Sequence, residues 1–184
     1  MDRFAIAFLD IREFSKPKGL RGGVLVTNEA VEPVEFRCTS VIQPTPLQKI
    51  FWGARMEGYI TTELVGKPLL HALSNRVSLV VVRNPAFVEM RSYIDIPLVQ
   101  VLRNEELINV SPLALEDDSD DMVSSIGGLE PVILKVHRDY HQDRQSARQL
   151  LAETLRSWSL LEPFDRITNA LDIIHQQEAV KTGG

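Results

Sequence analysis

Residues 4–9, Phe4-Ala5-Ile6-Ala7-Phe8-Leu9, are apolar without a break, as in a strand covered on both faces, and Asp10 reads as its end. After a Lys/Gly/Pro-rich connection over 16–23 come Val24-Leu25-Val26-Thr27 and a run over 34–42. Asn28 and Pro33 between them favour a turn, so the two runs should form an antiparallel hairpin. In the second run Val34, Phe36 and Cys38 alternate with Glu35, Arg37 and Thr39, the period of a half-exposed strand, which turns Cys38 inward. Thr45-Pro46-Leu47-Gln48 carries an N-cap threonine, a first-turn proline and a capping-box glutamine. A helix over 46–65 is expected from that start, closed by Gly66-Lys67-Pro68. Residues 77–82 read as a buried strand, 84–91 as a short helix capped by Asn84-Pro85, 96–102 as a strand despite Pro97, and 131–136 as another. Apolar residues at helical spacing, Ala147, Leu150, Leu151, Thr154, Leu155 and Trp158, then Phe164, Ile167, Leu171 and Ile174, predict a C-terminal helical hairpin with one buried face. The expected architecture is an α/β (or α+β) domain with a mixed sheet of about six strands, packed helices and that hairpin.

Charge divides the chain. Residues 1–104 hold 13 basic and 10 acidic side chains, net +3, and 105–184 hold 7 and 15, net −8. Glu116, Asp117, Asp118, Asp120 and Asp121 repel one another with little apolar content nearby, which predicts a mobile acidic loop over 105–128. The expected organisation is an α/β core over 1–104, that loop, and a last strand and hairpin over 129–179 packed on the core. A net charge of −5 over 184 residues does not by itself announce nucleic acid or anionic lipid as a partner. One cysteine excludes an internal disulfide and a cysteine-based zinc site, and its mid-strand position predicts an inert thiol. No apolar run approaches the roughly 18 residues of a membrane span, and the N-terminal residues do not resemble a signal peptide, which predicts a soluble cytoplasmic protein without membrane contact.

The order strand, hairpin, helix, strand, short helix, strand over residues 3–102 resembles the start of a ribonuclease H-like fold, whose nucleases hold two divalent metals on carboxylates of the first strand, the helix and the fourth strand. The resemblance is topological. It implies Asp10 as the first-strand carboxylate, Glu57 or Glu63 on the helix, and Mg²⁺ or Mn²⁺ as cofactor. At the fourth strand, Val82-Arg83-Asn84 puts a cation where an acid is wanted. That departure weighs against catalysis, and the direct reading of the residues is a protein with no catalytic residue, no metal and no cofactor. Elsewhere the chemistry is sparse. His137 and His141 are four apart, but His137 reads as a strand end, so the spacing does not bring them to one helix face; His71 and His175 are isolated and read as surface residues. No nucleophile elbow occurs, Gly22-Gly23 and Gly127-Gly128 precede strands rather than helices, and Arg12, Lys16, Lys18 and Arg21 read as a basic flexible connection.

The capped helix carries two apolar stripes at ~100° per residue. Leu47, Ile50, Phe51, Ala54, Gly58, Thr61 and Val65 are expected to be its core face, and Trp52, Met56, Tyr59 and Ile60 lie nearly opposite, with Lys49 and Glu63 at the ends. That second stripe is either covered by the chain itself or a protein-binding surface, since Trp, Tyr and Met concentrate binding energy at interfaces. On this basis the expected function is a non-catalytic assembly subunit that docks on another protein subunit or self-associates through Trp52, Met56, Tyr59 and Ile60. The alternative is a ribonuclease H-like metal-dependent nuclease, in degenerate form, using Asp10 and Glu63. Nucleic acid contact is expected only under that alternative or through a partner.

Overall fold

The computed structural model describes residues 4–103, 122–123, 132–152 and 158–182. The acidic run 116–121 and the Thr154 and Leu155 positions of the first C-terminal helix lie outside the described residues. The strands are β1 (Ile6–Ser15), β2 (Lys18–Thr27), β3 (Pro33–Cys38), β4 (Leu79–Val82), β5 (Leu98–Arg103), β6 (Met122–Val123) and β7 (Val132–Lys135). They form one mixed sheet in the order β3-β2-β1-β4-β5-β7-β6, in which β1, β4 and β5 are parallel and the other pairings antiparallel.

β1 does not stop at Asp10. It continues to Ser15 and pairs with β2 from Ile6↔Thr27 to Ser15↔Lys18, so the expected flexible connection is the outer half of a long hairpin. Ladder hydrogen bonds gained across the turn outweigh the flexibility suggested by the Lys/Gly/Pro composition. Side chains along β1 alternate between two cores. Ile6 and Phe8 face a cluster closed by α4 (Gln142–Leu151) and α5 (Glu162–Thr182), with Ala147, Leu151, Phe164, Ile167 and Leu171. Ala7 and Leu9 face the other cluster, beneath the helical segment after β3 and the 3-10 stretch Pro85–Tyr93, with Ile60, Val65, Leu69, Phe87 and Met90. The tandem glycines of β2 serve these two layers separately. A Cβ on Gly22 would lie 2.1 Å from Val65 Cγ1, and one on Gly23 would lie 2.9 Å from Ile167 Cγ2. Helices can therefore approach β2 closely from both sides.

The expected helix over 46–65 is a broken chain of short pieces: α1 (Pro46–Trp52), a 3-10 turn over Gly53–Arg55, α2 (Met56–Tyr59), a π segment over Ile60–Gly66 and α3 (Lys67–His71). Its start is as expected, with Thr45 Oγ1 accepting from the Gln48 backbone N–H at 3.2 Å and Gln48 Oε1 accepting from the Thr45 N–H at 2.8 Å. Gly53, at φ 50° and ψ −131°, breaks the helix after two turns. Gly66-Lys67-Pro68 does not end it, because the Lys67 N–H reaches back to Thr62 C=O in the wider π ring and the proline enters at the start of the next α turn.

These breaks overturn the expected core face. Leu47, Ile50 and Phe51 are 59%, 74% and 78% exposed, and no residue of α1 is buried. A 100° phase cannot be carried through a glycine break, a 3-10 turn of ~120° per residue and a π segment. Only the far end of the stripe, Thr61 and Val65, enters the core.

α5 is fastened to the long hairpin by polar contacts. Arg21, almost wholly buried on β2, donates from Nη1 to the Thr39 carbonyl, from Nη2 to Glu178 Oε2, and from Nε to His175 Nδ1 at 3.3 Å. His175 therefore presents an unprotonated Nδ1 and directs Nε2 at the Pro17 carbonyl, 3.1 Å away, while Phe14 stacks on its ring at 3.8 Å. Arg12 meets Asp172 at 3.1 Å. His175 is thus a buried structural histidine and not the surface residue its isolation suggested.

Candidate functional site

Asp10 sits on β1 one residue beyond the Leu9↔Val82 pairing, at the end of the parallel β1–β4 contact, and so comes level with Arg83. By alternation it lies on the α4/α5 face, opposite Gly23, where α5 approaches most closely. Burial pushes its carboxyl above the ordinary value; the Ile11 N–H, donating to Oδ1 at 2.9 Å, and the Arg83 charge pull the other way without prevailing. Such a desolvated carboxylate holds a proton more readily than a surface one, the property a proton-accepting group needs.

The two carboxylates expected to act together are not brought together. Glu63 lies in the helical layer over the opposite face of the sheet, where both its oxygens are 2.9 Å from Lys67 Nζ one turn on. Asn84 is also committed, since its Oδ1 caps the 3-10 stretch by accepting from the Ala86 N–H at 2.9 Å. Gln100 of β5, nearly buried beside this strand end, donates to the Arg83 carbonyl at 3.1 Å. No group of three or more His, Cys, Asp or Glu side chains converges to hold a metal among the described residues. Asp10 with an arginine beside it does not make a two-ion site, which needs clustered hard oxygen ligands.

Of the proposed protein-binding stripe, one end enters the core and the other stays at the surface. Ile60 is buried and Met56 packs against the same core. Trp52, 40% exposed, stacks on Tyr59 with centroids 4.0 Å apart. Between α1 and the β1–β2 hairpin runs a groove of about 560 Å³, lined by Phe14, Leu20, Ile42, Met56 and Ile60 with Lys18 and Lys49 among them. Ile42 and Pro44, on the connection before α1, also line a smaller pocket of about 130 Å³ together with Trp52, Met56 and Tyr59.

At the opposite edge of the parallel strands is a constellation the sequence reading missed. Arg91 and Asp143 form a buried pair, Nε–Oδ2 2.5 Å and Nη2–Oδ1 3.2 Å. Asp143 also accepts from the Leu98 N–H at 3.0 Å, and the Arg91 guanidinium lies 3.9 Å from the Tyr140 ring centroid. His137, buried, accepts at Nδ1 from the Asp139 N–H at 3.2 Å, with Ser92 Oγ and Glu89 Oε2 at 3.4 and 3.3 Å from Nε2. His141 is exposed ahead of α4, so the two histidines share no helix face. Arg91 and Asp143 are 52 positions apart, and no local pattern links them. Cys38 is half-buried, its thiol pushed up by desolvation, as expected of an inert cysteine.

A mixed sheet with this strand order, carrying a carboxylate on an inner strand and helices on both faces, is a ribonuclease H-like fold. Solved structures it resembles include endonucleases V. That of Streptomyces avermitilis matches with a TM-score of 0.58 and 15% identity, covering 98% of this chain and 87% of that one. That of Bacillus subtilis matches with a TM-score of 0.57 and 11% identity, covering 97% and 84%. A third, from Ciona intestinalis and solved with a 23-mer DNA containing an inosine followed by a ribo-adenosine, matches at 0.49 with 9% identity, covering 83% and 77%. No family model matches the chain, and no curated protein matches it in sequence.

These neighbours correct two expectations. The reading as a non-catalytic assembly subunit, acting through protein–protein interaction, is overturned, because the fold is shared along almost the whole chain with nucleases. The expectation of no cofactor is corrected only at the level of the fold, because the endonucleases V that share it are metal-dependent nucleases. No helix among the described residues is long and apolar enough to cross a membrane.

Proposed function

We propose that this chain is a nuclease of the ribonuclease H-like class, acting on nucleic acid at the strand end that bears Asp10. The observation that carries the reading is Asp10 itself: a desolvated carboxylate on the inner strand β1, where the parallel pairing with β4 ends, with its proton affinity raised by burial. In this reading Asp10 accepts the proton of the water that attacks the phosphodiester, and Arg83 offers positive charge to the phosphoryl oxygens. A divalent ion, where bound, would supply further charge stabilisation, with Asp10 as one ligand; no group of three or more His, Cys, Asp or Glu converges there among the described residues.

A second reading is favoured by one specific feature, the cation Arg83 level with Asp10 where β4 would offer a second carboxylate. In that reading the chain binds nucleic acid and has lost cleavage. Incubation with single- and double-stranded DNA and RNA, with Mg²⁺ or Mn²⁺ and with a chelator, separates the two. Divalent-dependent cleavage that disappears in Asp10→Asn is expected of a nuclease. Binding without cleavage establishes the second reading, and neither binding nor cleavage overturns both.

A further inference from the structure

We infer that Gln100 is a positioning residue for Arg83, fixing from the far side of the sheet the main chain from which the Arg83 side chain reaches the Asp10 site; the inference rests on the nucleic-acid reading above. β5 is buried from Leu98 to Val101, and Gln100, 5% exposed, is the one polar side chain in that run. An amide taken out of water costs free energy unless it is hydrogen-bonded, so a strand that had only to fill the core would carry an apolar residue there. The bond Gln100 makes is specific: its Nε2 donates to the Arg83 carbonyl at 3.1 Å. The β4–β5 pairing ends at Val82↔Gln100. Arg83 is therefore the first residue past that ladder, and a side chain holds its carbonyl.

The next residue is fixed as well. Asn84 Oδ1 accepts from the Ala86 N–H at 2.9 Å, and the Asn84 carbonyl accepts from the Phe87 N–H at 3.2 Å. Alternation along β5 puts Gln100 on the face of Leu98, in the cluster with Ile60 and Phe87, while alternation along β4 puts Arg83 on the face of Val81, with Asp10. Gln100 thus grips the backbone of Arg83 and leaves its side chain to the opposite face, where its charge acts on the Asp10 carboxyl. A cation that has to meet a phosphoryl oxygen needs a fixed base, since a displacement of about 1 Å can cost about 100-fold in rate.

The test is a double-mutant cycle on the full chain, with a labelled DNA duplex and a labelled single-stranded RNA in Mg²⁺ or Mn²⁺. Gln100→Met keeps the length of the side chain and removes the donor, and a thermal melt checks that it folds; Gln100→Leu takes its place should it not. In Gln100→Met, kcat and kcat/KM should fall together by about 10- to 100-fold, the mark of an interaction made in the transition state. In an Arg83→Gln background the same change should cost nothing further, because the group it positions is gone. Should the wild type bind without cleaving, the cycle is read by fluorescence anisotropy in chelator across a salt series. Arg83→Gln should then lower the slope of log Kobs against log salt by about 0.9 in magnitude on duplex DNA, and Gln100→Met should weaken binding only where Arg83 is present. An unchanged kcat (or, without cleavage, an unchanged affinity) in Gln100→Met, or an equal loss in both backgrounds, overturns this inference and leaves the nucleic-acid reading standing. A wild type that neither binds nor cleaves overturns this inference and the nucleic-acid reading together.

Discussion

Truncating Asp143 to alanine should be among the most costly single changes outside the apolar core. The carboxylate is 2% exposed and receives two N–H groups of Arg91 and the backbone N–H of Leu98. Alanine leaves the Arg91 guanidinium, itself 10% exposed, without its counter-ion, and leaves the Leu98 N–H without an acceptor. Removing one partner of a buried ion pair costs about 3–5 kcal/mol. For a chain of 150–250 residues each kcal/mol moves Tm by about 2–4 °C, so a fall of about 6–20 °C is expected. Arg91→Met/Asp143→Leu removes both charges together, and its loss should be clearly smaller than that of Asp143→Ala alone, since what remains is chiefly the orphaned Leu98 N–H at about 1–3 kcal/mol. Thermal melts followed by far-UV circular dichroism, with urea unfolding as a second measure, read both. A change below about 3 °C in Asp143→Ala, or a double variant less stable than the single, would refute the argument that an uncompensated charge sets the cost.

Gly22→Ala should destabilise by about 1–3 kcal/mol through the 2.1 Å approach to Val65 Cγ1, and Val65→Ala in the same chain should recover part of the loss in urea melts. Glu35, whose carboxylate accepts from Arg37, Asn75 and the Ser74 N–H, is lowered to about 2 from an ordinary 4.5. Its clasp between β3 and the loop before β4 should stabilise fully above about pH 4.5 and weaken as pH falls toward 2. Melts of wild type and Glu35→Gln should therefore converge at low pH. Asp10 is the opposite case: its raised value makes the ionised form a cost that opens as pH climbs above 3.8, so Asp10→Asn should raise Tm at neutral pH, with the advantage closing in acid. Phe51→Ser, at a 78% exposed position, should leave stability within about 0.5 kcal/mol, whereas Ile60→Ala, 7% exposed, should cost about 2–5 kcal/mol.

Local physics is written in the sequence, and the elements that depend on it are where they were expected. The apolar runs of β1, β4 and β7, the hairpin of β2 and β3, the Thr45–Gln48 capping box and the amphipathic C-terminal helices each follow from residues a few positions apart. Asp10 was legible for the same reason, as an acid next to an apolar strand. What the tertiary structure alone decided is which surface meets which. Periodicity names a stripe on a helix without saying that the body of the protein will cover it. The break at Gly53 therefore sent Leu47, Ile50 and Phe51 to solvent and kept Ile60 inside, with Met56 half-buried against it. Glu63 has the right spacing and the wrong layer, because which face of the sheet its helical segment covers is decided by long-range packing and not by local spacing. The buried polar groups were least visible of all. Arg21 finds His175 across 154 positions and Arg91 finds Asp143 across 52, and each looks in sequence like an ordinary surface charge until its partner removes it from water.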